Sequence, residues 1–349
     1  MKKLITITTA FLMTFFMFAC ASQNSATTPE QSSSVVTESA AETSKPTGGK
    51  PMGGGMGGNS MDTSSIVNQF TDVAYGSQSD TQTLDIYLPN EESSSTYPVL
   101  VAIHGGAFMM GDSKGGDVAP VLEGVNRGYA VISINYRLSG EKLFPAAVND
   151  VKAAIRWIKA NAEQYNLDAN KIAVWGDSAG GNLAAMIGTT GSLESIGEND
   201  NPENLEYSSA VQAVVDWFGP LDFLKMDEQF EASGVPRSTG NTSEESSPES
   251  KYIGQLITLD AELTGQANPE TYIGTMDAAS APSFFIEHGT ADGNVPTQQS
   301  IDFAEMLKNS IGEEKVVLKL LDGAGHGTSE FQTVENLDVV FSFLDMIMK

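Results

Sequence analysis

The sequence predicts an α/β fold, a mostly parallel eight-stranded sheet with helices on both faces and an inserted segment near 221–277. Three observations carry that expectation. From about residue 66 onward, strand-like runs alternate with stretches of helical periodicity, the pattern of a sheet built through crossovers. Several runs are apolar throughout, as strands buried on both faces are. The globular part is about 290 residues long, which suits one large domain.

The chain begins with Lys2 and Lys3, continues as an apolar run and reaches Ala19 and Cys20, the layout of an export signal. The run ends too quickly to read as a membrane span. Met17-Phe18-Ala19-Cys20 resembles a bacterial lipobox, so Cys20 is expected to carry a lipid and to anchor an exported protein at the cell surface. Residues 21–65 are rich in Ser, Thr, Ala, Glu, Gly and Pro, cannot bury enough apolar surface to order themselves, and read as a tether. The expected division is therefore 1–20 signal, 21–65 tether and 66–349 globular domain.

Within that domain the expected strands are an edge strand near Val73, then 84–88, 99–105, 129–136, 172–176, 211–219, 283–289 and 316–321. The first two are expected to pair antiparallel at one edge. The clearest helix runs from about Ala146 to Glu163, with Ala147, Val151, Ala154, Ile155 and Ile158 on one face. Residues 221–277 break the alternation with acidic and serine-rich stretches, and an excursion of that size between two strands usually lies over a functional face.

Composition excludes several functions. A formal charge of -26 repels nucleic acid and anionic membrane surfaces, so no nucleic-acid partner is expected and a membrane only through the lipid. Cys20 is the single cysteine, which removes any intrachain disulfide and any cysteine nucleophile from the globular part. Three histidines without a second cysteine argue against a structural zinc site, and no metal or cofactor is expected.

Gly-x-Ser-x-Gly, the spacing that frames many serine nucleophiles, occurs twice, around Ser113 and around Ser178. Glycine and serine are common here, and random order would produce about 0.3 matches, so flanking residues must decide. The chemistry needs the serine on a tight strand-to-helix turn, with the helix N-terminus facing developing negative charge. Ser178 follows the strand KIAVWG and precedes the helix start NLAAMIG; Ser113 has neither flank. Ser178 is the expected nucleophile.

A serine hydroxyl needs a base to take its proton. Of His104, His288 and His326, only His326, in the loop GAGHG, leaves room for an acid between nucleophile and base. His288 reads as structural and His104 as a brace. Asp292, just after a late strand, is the expected acid; Asp322, four residues before His326, is the runner-up, tethered to its own loop. HGGAF after the strand VLVAI offers backbone N–H groups for an oxyanion, so Gly105 and Gly106 are expected to form that hole with Ala179. Phe108, Trp217, Phe218 and Phe223 fall at strand ends and are candidates for an acyl or aryl pocket, or for core.

With these residues assembled, the stretch from about 70 to 349 resembles the α/β-hydrolases of the bacterial esterase and lipase type. HGGAF and GDSAGG are similar to the hormone-sensitive-lipase-like esterases. GDSAGGNLAAMIGTTG, SSAVQAVVDWFGPLDFL, SPESKYIG and HGTADGNVP are closer to a branch that includes acetylxylan and feruloyl esterases. The resemblance implies cofactor-free cleavage of carboxylic esters through an acyl-enzyme on Ser178, with small esters or esterified oligosaccharides as substrates. Two alternatives stay open: an amidase or peptidase with the same triad, and a catalytically inactive surface binding protein.

Overall fold

The computed structural model describes residues 60–91, 93–197 and 199–349. Cys20 and almost all of the expected tether lie outside the described residues. Residues 60–65, assigned to the tether by composition, already pack on the domain: the Met61 N–H donates to the Lys114 carbonyl at 3.0 Å, and the Met61 side chain lies against a core cluster. Composition does not show this docking, because it turns on one apolar side chain, Met61, and the cluster that receives it.

Eight strands form one sheet: β1 (Asn68–Ala74), β2 (Thr83–Leu88), β3 (Tyr97–Ile103), β4 (Ala130–Ile134), β5 (Leu167–Asp177), β6 (Ala213–Trp217), β7 (Ser283–Gly289) and β8 (Val316–Leu321). Their spatial order is β1-β2-β4-β3-β5-β6-β7-β8. β2 runs antiparallel to both β1 and β4, and every pair from β4 to β8 is parallel. This is the α/β-hydrolase fold. Parallel strands need long crossovers, supplied here by α1 (Ala119–Leu122), α2 (Ala146–Ala160), α3 (Ala179–Thr190), α4 (Met226–Ser233), α5 (Pro248–Ile253), α6 (Ala261–Gln266) and α7 (Gln298–Ile311), while α8 (Val334–Met348) closes the chain.

Two apolar clusters lie on the two faces of the sheet, and strand periodicity divides the residues between them. Val99, Val101 and Ile103 of β3 belong to one cluster with Val151 and Ile155 of α2 and Leu183 of α3. Leu100 and Ala102, the alternate positions, belong to the other with Val121 of α1 and Phe341 of α8. Residues buried on both faces explain why β3 to β7 read as continuous apolar runs.

α2 stops at Ala160 rather than near 163, capped by Asn161, whose backbone N–H at 3.0 Å and side-chain amide at 2.8 Å both donate to the Trp157 carbonyl. The excursion between β6 and β7 is ordered, carrying α4, α5 and α6. Its start is fixed where Gln299 Oε1 accepts the N–H groups of Leu221 and Asp222, each at 2.6 Å.

Candidate active site

Parallel strands deliver their C-terminal ends to one edge of the sheet, and the loops after β3, β5, β7 and β8 meet there. Ser178 sits between β5 and α3 with φ +52° and ψ −119°, a conformation a non-glycine residue holds only under constraint. The constraint is steric and local. A Cβ on Gly176 would meet the Gly180 carbonyl oxygen at 2.1 Å, and one on Gly180 would meet the Ile103 carbonyl oxygen at 2.1 Å. The two glycines of the motif are therefore the condition for the turn to pass between β3 and its own helix. The Ser178 N–H is tied to the Trp217 carbonyl at 2.9 Å. The hydroxyl is left to face the cavity beside α3's first amide, that of Ala179.

Ser178 Oγ lies 2.9 Å from His326 Nε2, and His326 Nδ1 lies 2.7 Å from Asp292 Oδ2. The tautomer consistent with both contacts has Nδ1 donating to the carboxylate and Nε2 accepting from the hydroxyl. Asp292 is buried and accepts further N–H groups of Asn294 at 2.7 Å and Val295 at 3.0 Å on Oδ1. Burial alone would raise its pKa, but the adjacent His326 and the hydrogen bonds from His288 and His326 outweigh it and hold the carboxyl well below the usual range. The acid is thus a fixed anion, suited to orienting an imidazole.

The other sequence candidates separate cleanly. Ser113 is buried, donates its hydroxyl to Asp85 Oδ2 at 2.6 Å and has no histidine partner; Gly111 of its motif lets the chain pass His104, whose Nδ1 a Cβ would meet at 2.5 Å. Asp322 accepts a hydrogen bond from Thr290 Oγ1 at 3.3 Å rather than one from His326. His104 braces its loop, stacking on Tyr136 with ring centroids 4.3 Å apart and placing Nδ1 2.8 Å from the Gly105 carbonyl.

Gly105 is a correction. Its N–H donates to Asp117 Oδ2 at 3.0 Å and is not free to meet an oxyanion. The loop instead turns through three left-handed residues, Gly106 (φ +100°), Ala107 (φ +57°) and Phe108 (φ +60°), and closes as the N–H groups of Met109 and Met110 reach the Gly106 carbonyl. Among the described residues, no acceptor takes the N–H of Gly106 or Ala107, and Ala107 lines the same cavity as Ser178 and Ala179. The signal in the sequence was the conformation demanded of HGGAF, which a count of glycines does not convey.

Phe108 lines the cavity, whereas Trp217, Phe218 and Phe223 are core. Phe218 has a role that sequence reasoning missed. Its ring packs edge-on against His326 with centroids 4.6 Å apart, limiting where the imidazole can turn. His288, expected to be structural, is buried, with Nδ1 2.7 Å from Ser300 Oγ and Nε2 3.0 Å from the Val295 carbonyl and 3.2 Å from Asp292 Oδ2, the same oxygen that meets His326.

The cavity over Ser178 encloses about 310 Å³, at the small end for a ligand site. Ala107, Phe108, Pro220, Met226 and Val295 supply apolar lining; Thr239 to Thr242 and Ser246 to Glu249 supply a polar one from the excursion. That polar wall is anchored. Asp227 of α4 accepts from Arg237 Nη1 at 2.6 Å and from the N–H groups of Thr242 at 2.8 Å and Ser243 at 3.0 Å. The Ser238 N–H in turn donates to the Gly293 carbonyl, next to Asp292, at 2.8 Å. Among the described residues, no group of three or more His, Cys, Asp or Glu side chains is placed to hold a metal ion.

Residues 84–307, more than half of the chain, match the family described as BD-FAE. The chain belongs to that family. The BD-FAE match covers β2 through most of α7, including Ser178 and Asp292 but not His326. Beyond it, the chain is 32% identical over 260 residues to the probable carboxylic ester hydrolase LipM of Mycobacterium tuberculosis, covering 73% of this chain and 55% of that protein. Esterase LipC of the same organism is 30% identical, over 73% of this chain and 59% of its own length. The chain therefore spans little more than half the length of these curated relatives. Among solved structures, a truncated carbohydrate esterase from gut microbiota superposes with a TM-score of 0.71 at 29% identity, covering 83% of this chain and 99% of that one. A bifunctional GH43-CE protein of Bacteroides eggerthii gives 0.68 at 33% identity, over 80% of this chain and 35% of that one.

Proposed function

We propose that the chain is a serine carboxylesterase that removes short acyl groups, acetyl or aryl-acyl of feruloyl type, from plant polysaccharide or its fragments. The single observation that carries the reading is the hydrogen-bonded row Ser178 Oγ, His326 Nε2 and Nδ1, Asp292 Oδ2, opening on a small cavity.

In this reading Ser178 Oγ attacks the ester carbonyl as His326 Nε2 takes its proton. The tetrahedral oxygen is met by the N–H groups of Ala179, Gly106 and Ala107, with the partial positive charge of α3's N-terminus behind it. His326, now an imidazolium held by Asp292, gives the proton to the departing alcohol, leaving an acyl group on Ser178. Water then attacks the acyl carbonyl as His326 Nε2 takes its proton, and as the second tetrahedral intermediate collapses His326 returns that proton to Ser178 Oγ and the acid leaves. Asp292 stays ionised throughout. The cavity's size favours short acyl groups over long lipid chains, and the likeness to carbohydrate esterases supports a sugar alcohol as the leaving group.

Hydrolysis of p-nitrophenyl acetate and of acetylated and feruloylated xylan, by the wild type and by Ser178→Ala, tests the reading. Release of acetate or ferulate by the wild type and a drop of more than about 10³-fold in the variant are expected. Equal turnover by both proteins overturns it. Export and lipid anchoring through Cys20 belong to the same reading, supported by the leader sequence. Fatty-acid label that is present in the wild type and absent from Cys20→Ala is the expected result; equal label in both rules the anchor out.

A further inference from the structure

The cavity that holds Ser178 is lined by two ionisable side chains, His326 and Glu249. The first has a place in the mechanism. The second does not, and its position is costly. Glu249 is the second residue of α5, 8% exposed, and no cation forms an ion pair with it among the described residues. Burial pushes its pKa up to about 7; its own amide pulls down, Asp227 pushes up, and the Ser247 hydroxyl pulls down. The first turn of α5 favours a carboxylate, but burial of a carboxyl without a cation costs more than an apolar side chain in the same place would.

What surrounds it gives that carboxyl a use. Thr239, Asn241, Thr242 and Ser246 line the same cavity from the same excursion, so this part of the lining offers three hydroxyls and an amide besides the carboxyl. A long-chain or simple alkyl alcohol would strip water from these groups and return nothing. A polyol returns hydrogen bonds to each.

We propose that Glu249 is a specificity-determining residue that hydrogen-bonds a hydroxyl of the substrate's alcohol part, selecting esters of sugars over esters of simple alcohols. A carboxyl suits this task because it accepts from a hydroxyl when ionised, and both donates and accepts when protonated. The inference rests on the esterase reading above. It goes beyond that reading in naming the group that reads the sugar.

The test compares two acetates on the same preparation of full-length protein: methyl β-xyloside monoacetate, followed by acetate release, and p-nitrophenyl acetate. The readout is the ratio of their kcat/KM values, which does not depend on how much of a variant is folded. In Glu249→Gln and Glu249→Leu the ratio is expected to fall about tenfold or more, chiefly through KM for the xyloside. A ratio within twofold of wild type in both variants makes Glu249 a structural residue and overturns the proposal. Calorimetric binding of the xyloside acetate to Ser178→Ala, with and without Glu249→Gln, asks the same question without turnover. A Kd about tenfold weaker in the double variant supports the proposal, and equal Kd values refute it. Failure of the wild type to cleave p-nitrophenyl acetate would count against the esterase reading alone, because the binding comparison still decides the role of Glu249.

Discussion

His326 Nε2 stands 2.9 Å from Ser178 Oγ although 148 residues separate the two in the chain. Each is placed by its own strand end, and the parallel pairing of β5 through β6 and β7 to β8 fixes the distance between those ends. The contact is a property of sheet order, and so are the consequences of disturbing the groups around it.

Asp292→Asn is expected to lower kcat on p-nitrophenyl acetate by about 10³-fold or more while leaving the protein folded. An amide in place of the carboxylate can present its NH₂ to His326 Nδ1, favouring the tautomer whose Nε2 carries a proton and cannot take one from Ser178. Circular dichroism beside steady-state kinetics separates the two effects. Unreduced kcat would remove Asp292 from the triad.

Gly180→Ala drives a methyl group into the Ile103 and His104 carbonyls, which a Cβ would meet at 2.1 and 2.7 Å. Backbone cannot retreat as a flexible side chain does, so the variant is expected to lose about 3 kcal/mol, or about 6 °C and more in Tm. Gly140→Ala is the control, since a Cβ there meets nothing within 4 Å. Equal melting temperatures for the two variants would contradict the steric account of the turn.

The polar wall hangs on Asp227. Burial opposes its charge, but the Ser243 hydroxyl, Arg237 and the amides of Thr242 and Ser243 outweigh that and bring its pKa down to about 2. A depressed carboxylate contributes its stabilisation above its unfolded value, near 4, and loses it as pH falls toward 2. Asp227→Asn keeps the shape and removes the charge. KM for short esters is expected to rise about three- to tenfold with kcat little changed; a change in kcat alone would mean the wall is not part of the binding surface.

Glu249 gives the opposite sign. Its folded pKa, about 7, lies above the ordinary carboxyl value of 4.5, so its favourable contribution is complete below pH 4.5 and fades as pH rises through 7. At 1.36 kcal/mol per pH unit, the difference amounts to about 3 kcal/mol at most. Glu249→Gln, which does not ionise, is expected to gain stability relative to wild type between pH 5 and pH 8 in denaturant titrations. A constant gap across that range would show that burial does not raise the carboxyl's pKa in the fold.

Much of this protein was legible in the sequence because the information is local. Apolar runs and helical periodicity gave the eight strands and α2, and the flanks of Ser178 distinguished it from Ser113, since a strand-to-helix turn needs its glycines within two residues of the serine. Chain order selected His326, and position just after a late strand preferred Asp292 over Asp322. Only the tertiary structure decided what depends on residues far apart meeting in space. Whether the Gly105 N–H faces the cavity turns on Asp117, twelve residues later. Whether Phe218 lines a pocket or backs His326 turns on a loop more than a hundred residues away. Glu249 reads, in sequence, as one more acidic residue in a serine-rich excursion; burial beside Ser178, a consequence of how that excursion folds back over the sheet edge, makes it chemistry. Backbone sterics act between neighbours and leave a signature in short motifs, while desolvation and hydrogen-bond partnership are set by whatever the fold brings near.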